Sequence, residues 1–149
     1  HRTFLRVVLD GEGRLGPDRR LWRPVEGQPS LRATLGVRPP LPGVEDLRLP
    51  PGPGGCSLRH LLHELVARGV GRVLLEGGPT LARQALTEGL VDVFHRFRSD
   101  RPAGGPPVNL GPRTPASWST QATFPGGTWE VGYPGLGTNL VEDTPIPTS

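Results

Sequence analysis

The stretch that decides the fold is "RVLLEGGPTLARQALTEGLVD", residues 72–92. A short apolar run rich in branched side chains ends in an acid, Glu76, and two glycines follow. Pro79 then opens a helical pattern that Gly89 closes. Proline is pre-set for the first turn of a helix and glycine supplies the left-handed stop. "RVLLE" therefore reads as a strand and residues 79 to about 88 as a helix. A strand that turns through Gly-Gly into a helix is half of a βαβ unit.

Working outward, "LRVVLD" is a continuous apolar run bounded by "GEG", which suits a buried strand of a parallel sheet. "SLRATLGV" alternates Leu31, Ala33, Leu35 and Val37 at the period of a strand, and "VEDLRLP" gives another. A first helix follows, with Ser57 as its N-cap, an apolar face of Leu58, Leu61, Leu62, Leu65 and Val66, and Gly69 as its end. "LVDVFHRF" reads as a further strand. Strand, helix, strand, helix, strand at these spacings predicts an α/β fold with a mostly parallel sheet flanked by helices. At the C-terminal end, "SWSTQATF" and "TWEVGY" are separated by "PGG" and read as an antiparallel hairpin. Residues 1–133 are expected to form the domain and 134–149 a poorly ordered tail.

The chain has 149 residues, one cysteine and no methionine, and all 17 of its basic residues are arginines. Without lysine it has neither a Schiff-base amine nor a Walker-type phosphate lysine. The net charge of +3 is spread from Arg2 to Arg113 with no basic run longer than Arg19-Arg20, so no nucleic-acid partner is expected. No apolar run approaches the roughly 18 residues of a membrane span. A soluble, cytoplasmic protein without a membrane partner is the expectation.

The Gly-Gly turn has two readings. Glycines admit a phosphate close to the backbone, and the helix start offers free N–H groups and the positive end of its dipole. Gly78, Thr80, Leu81 and Ala82 would be the donors, and Glu76 would accept from ligand hydroxyls or a ring N–H rather than face a phosphate. The other reading is steric: a tight strand-to-helix connection beside a solvated acid. "RVVLDGEG" echoes "RVLLEGGP", so Asp10 and Glu76 are both expected at strand carboxyl ends, near one cleft.

"RVVLDGEGRLGPDRRLW" with "LLHELVARGVGRVLLEGGPTLARQALTEGLVD" resembles the reductase domain of riboflavin biosynthesis, usually the C-terminal half of a bifunctional deaminase–reductase. The resemblance implies a dihydrofolate-reductase-like fold, NADPH as cofactor, and a small-molecule substrate, 5-amino-6-(5-phosphoribosylamino)uracil, whose ribosyl group is reduced to ribityl. It implies substrate binding by Glu76 and cofactor binding by Gly11, Gly77, Gly78, Pro79, Thr80, Leu81, Ala82, Arg83 and Gln84. Where the family has Ser after the strand-end Asp, this chain has Gly11. The family's Ser-Leu-Asp-Gly strand and substrate-phosphate segment does not precede His1, so the reductase domain is expected to be partial. A homodimer is a family-level expectation, and a catalytically impaired remnant acting as a binding or assembly module is the alternative.

Other constellations point to no chemistry. His60 and His63, in "HLLHE", match no zinc motif, and no metal is expected. His95 reads as a half-buried partner of a backbone group. Trp22, Trp118 and Trp129 read as packing residues. Cys56, before the N-cap Ser57, reads as structural, although a helix dipole there would lower its pKa.

Overall fold

The computed structural model describes residues 4–102, 104 and 108–135, so most of the expected tail lies outside the described residues. The chain divides into two compact units, His1–Leu74 and Leu75–Ser149.

In the first unit, β1 (Arg6–Leu9), β2 (Ser30–Thr34) and β3 (Val44–Arg48) form a parallel sheet in the order β1-β2-β3. The period-2 pattern around β2 suggests a half-buried strand, yet all five of its residues are buried. Central position explains this: Leu31 and Ala33 face the core while Ser30, Arg32 and Thr34 lie on the other face. The polar face is satisfied internally. Arg32 forks onto Asp46 at 2.6 and 2.8 Å and donates to the Pro39 carbonyl at 2.7 Å, while the Thr34 hydroxyl donates to Gly36 at 2.9 Å. The Asp46 hydrogen bond is the main reason the Arg32 pKa is raised.

A short antiparallel pair, β4 (Pro51–Gly52) and β5 (Gly55–Cys56), leads into α1 (Leu58–Ala67). The Ser57 hydroxyl accepts the His60 N–H at 3.3 Å, and Gly69 leaves the helix at φ 81°, so both expected ends are where the sequence puts them. Leu58, Leu61 and Leu65 are buried, but Val66 faces solvent. The core joins Leu31, Ala33, Leu49, Cys56, Leu61 and Leu65. Each such leucine contributes about 1.5–3 kcal/mol by leaving water. Trp22, in a 3-10 turn over Arg20–Trp22, is buried and donates its indole N–H to the Gly16 carbonyl at 3.0 Å.

In the second unit, α2 (Pro79–Thr87) ends at Gly89, φ 67°. β6 (Phe94–Ser99), β7 (Ser119–Phe124) and β8 (Gly127–Gly132) form an antiparallel sheet in the order β6-β8-β7. The expected hairpin is β7–β8. β6 is a strand as expected, but it runs antiparallel on β8 rather than joining the parallel series. On one face the Arg96 guanidinium lies 3.6 Å over the Trp118 ring, with its Nε on the buried Glu130 carboxylate at 2.5 Å. On the other, Trp129 stacks between His95 and Phe97, with ring centroids 5.9 and 6.4 Å away. His95 is thus exposed, and its Nδ1 accepts from the Trp129 indole at 3.3 Å instead of meeting a backbone group.

The expected strand at residues 72–76 is absent. The segment takes no ladder partner among the described residues, and Val73, Leu74 and Leu75 are 46%, 75% and 40% exposed. A strand exists only where a neighbour accepts its N–H and C=O groups. Here no neighbour among the described residues does so.

Candidate functional site

Glu76 to Gln84 lie within the second unit, and the helix start organises them. Gly78 is the N-cap of α2, with φ −68° and ψ 172° and no side-chain cap. That backbone suits any residue, so no left-handed conformation demands glycine there. Nor do internal sterics: a Cβ on Gly78 would meet nothing within 4 Å among the described residues. Gly77 differs. A Cβ there would sit 2.6 Å from Leu81 Cδ2 and 3.3 Å from its Cβ, so Gly77 is required by packing on the helix's first turn. The pair has both explanations offered by the sequence, one for each glycine. Gly77 solves a steric problem, and Gly78 leaves an open approach to backbone.

Along that approach, the N–H groups of Thr80 and Leu81 have no backbone acceptor among the described residues, whereas Ala82 already donates to Gly78 O at 3.1 Å. The donor set is therefore smaller than expected: Ala82 drops out because it makes the first helical hydrogen bond. Thr80 is exposed, as are Glu76, Gly77, Gly78 and Pro79, and Leu81 and Ala82 are half-buried. Arg83 is exposed and its Nε is anchored on Asn109 O at 3.0 Å. Gln84 is not brought to this surface. It is buried and its amide donates to Glu88 at 2.9 Å. An N-terminus without a side-chain cap, with free N–H groups and an open glycine, is a donor set that suits a phosphate oxygen.

The first acid–glycine turn, in the first unit, is built differently. Asp10 is buried, and its carboxylate accepts the N–H groups of Arg14 and Leu15 at 2.8 and 3.2 Å. Its oxygens are engaged by the amides of their own loop. At Gly11 a Cβ would point inward, 3.3 Å from Cys56 Sγ and 3.4 Å from Leu35, so any contact made by Gly11 is through its backbone. Burial, aided by the Asp10 charge, raises the Cys56 pKa, so the dipole effect that would lower it does not prevail.

Arg38 belongs to no motif in the sequence, and the structure sets it apart. Its side chain packs on Gly13, which takes φ 66° and where a Cβ would come within 2.8 Å of Arg38 Cδ. One Nη donates to Gly11 O at 3.3 Å, and its Nε is buried without a partner among the described residues. The only sequence signal is an arginine shortly after a strand in a segment without acids. No group of three or more His, Cys, Asp or Glu side chains that could hold a metal occurs among the described residues. No helix among them is long and apolar enough to cross a membrane.

A family model described as the RibD C-terminal domain matches residues 1–100, from the chain start through β6. No curated protein matches the chain.

Proposed function

The chain belongs to the RibD C-terminal domain family, a riboflavin-pathway reductase family with a dihydrofolate-reductase-like α/β fold, and from that premise we propose that it is the NADPH-dependent reductase of the pathway. In this reading it reduces the ribosyl group of 5-amino-6-(5-phosphoribosylamino)uracil to ribityl. The observation that carries the cofactor part is Gly78, a glycine that neither its φ nor its surroundings require. A ligand that approaches the protein backbone closely supplies the missing reason.

When bound, the nicotinamide supplies the hydride that the sugar carbon accepts. The protein's work is positioning. The N–H groups of Thr80 and Leu81 would hold the pyrophosphate with help from the Thr80 hydroxyl and the Arg83 guanidinium, and Gly77, Gly78 and Pro79 would shape the approach. Glu76 accepts hydrogen bonds from the substrate, since a carboxylate repels phosphate but suits sugar hydroxyls and ring N–H groups. Gly11, in the first unit, has only its backbone to offer a ligand.

The test is a fluorescence titration of the chain and its Gly78→Val variant with NADPH. The valine side chain occupies the open approach but meets no described protein atom near its Cβ, so NADPH affinity falls about tenfold or more, while the ligand-free protein loses no more than the roughly 1 kcal/mol that an apolar N-cap costs. Equal affinity in the two proteins sends the cofactor site elsewhere.

One observation favours the second reading, a module that binds without turnover. Glu76 ends a segment with no strand partner among the described residues, and a site residue without a rigid support is poorly held. NADPH binding without oxidation in the presence of the substrate selects that reading.

A further inference from the structure

Glu76 has little to hold it. It closes a segment, residues 72–76, that takes no ladder partner among the described residues, and it makes no hydrogen bond or ion pair with them. Glu76, Gly77, Gly78, Pro79 and Thr80 are all exposed. A carboxylate that must meet one ligand atom requires a fixed backbone beneath it. The strand side supplies none among the described residues, so the hold has to come from the helix.

Two adjacent constraints supply it. Pro79 opens α2, and the residue before a proline is confined to extended backbone; Gly78 has φ −68° and ψ 172°. That sets the direction in which the chain leaves the helix. The second constraint is Leu81. The three atoms nearest to a Cβ built on Gly77 all belong to it: Cδ2 at 2.6 Å, Cβ at 3.3 Å and Cγ at 3.4 Å. Gly77 does not take the left-handed backbone that favours glycine, so what requires glycine there is contact with this one side chain. Helical side chains lean toward the N-terminus of their helix. Leu81, in the first turn, therefore lies back against the glycine. It is half-buried, whereas the five residues before it are exposed.

We propose that the Leu81 side chain is the positioning element for Glu76: pressed on Gly77, it fixes the turn from which the carboxylate reaches the substrate. This rests on the reading of Glu76 as an acceptor of substrate hydrogen bonds and adds the residue that aims it. Leu81 then has two separable parts. Its N–H belongs to the anion site, and any residue but proline keeps it. Its isobutyl group belongs to Glu76.

The test measures kcat/KM for the ribosylaminouracil phosphate and the NADPH dissociation constant in Leu81→Ala and Leu81→Met, each with Glu76 and with Glu76→Gln. Leu81→Ala lowers kcat/KM about tenfold and moves the NADPH constant by less than about threefold. Methionine, long enough to reach Gly77, restores most of the loss. With Glu76→Gln already in place, the alanine has less than about a twofold further effect, because a residue that acts through the carboxylate has nothing left to aim. If Leu81→Ala does not fold, Gly77→Ala takes its place in the same cycle, since its methyl displaces the leucine without shortening it. Losses that multiply in the double variant overturn the inference, as does a Leu81→Ala protein as active as the parent; either leaves the reductase reading standing. Equal weakening of NADPH binding and of turnover also overturns it and makes Leu81 a support of the helix start alone. A parent chain that oxidises no NADPH in the presence of this substrate overturns the reductase reading, and the inference with it.

Discussion

The two acid–glycine turns, "DGEG" after β1 and "EGGP" before α2, start from nearly the same sequence and end in opposite states. At the first, the strand is paired, the acid is buried on two loop amides, and a side chain on the glycine would point to Cys56 and Leu35. At the second, the preceding segment is unpaired, the acid is exposed, and a side chain on the second glycine would meet nothing. A local pattern specifies that the chain turns after an acid. Whether the acid serves the fold or a ligand depends on the ladder beside it. Where neighbours take the backbone groups, the carboxylate is drawn inward to satisfy the loop.

The largest expected effect tests the first turn. Asp10→Ala strands two amides and should cost about 3 kcal/mol, since hydrogen bonds to a charged group are worth about 1.5–3 kcal/mol each and do not simply add. Glu76→Ala should change stability by no more than about 0.5 kcal/mol, as expected of an exposed side chain without a structural partner. Denaturant unfolding of both variants checks the pair, and equal losses would erase the contrast between the turns.

Next in size is the effect at the second turn on substrate. Glu76→Gln keeps the shape and one acceptor but removes the charge. It should lower kcat/KM for the ribosylaminouracil phosphate by about tenfold to a hundredfold, the scale of one charge-assisted hydrogen bond. The NADPH dissociation constant should move far less. Weakened NADPH binding with intact substrate kinetics would put the carboxylate on the cofactor instead.

The smallest effect comes from an exposed pair at the edge of the parallel sheet. The hydrogen bond from Arg68 lowers the Glu45 pKa, outweighing desolvation, with the N–O distance at 2.7 Å. A depressed carboxylate pKa stabilises the folded state above the unfolded value, and that contribution disappears as pH falls through the folded one. Because the Glu45 side chain is 57% exposed, Glu45→Gln should cost less than about 1 kcal/mol at neutral pH. The unfolding midpoints of parent and variant should converge in acid; a gap that widens there would contradict the assignment.

Much of the fold was legible because its signals are local. Ser57 and Gly69 bound α1, Pro79 and Gly89 bound α2, and the Pro-Gly-Gly turn marks the hairpin; each acts through its own backbone conformation or hydrogen bonds. Strand direction was not legible, because the apolar pattern of β6 is the same whichever way its neighbour runs. Nor was the fate of residues 72–76, since an apolar run does not state whether it has a partner. The site was legible to the level of the turn. It took three dimensions to separate Gly77 from Gly78, to find Ala82 occupied and Gln84 turned inward, and to see that Arg38 has an unpaired buried donor.

The uncapped start of α2 ties ligand to fold. A helix ordinarily begins with a Ser, Thr, Asp or Asn oxygen on its first free amides. Here that place is open, so an oxygen of a bound phosphate would complete the helix as a cap supplied from outside. Ligand-free, the Thr80 and Leu81 amides should exchange with deuterium quickly, and occupancy should slow them. Binding would then raise thermal stability in step with ligand concentration, since the same contacts that hold the anion finish the secondary structure. A self-capped version would stand firmer alone and have less to offer an incoming anion.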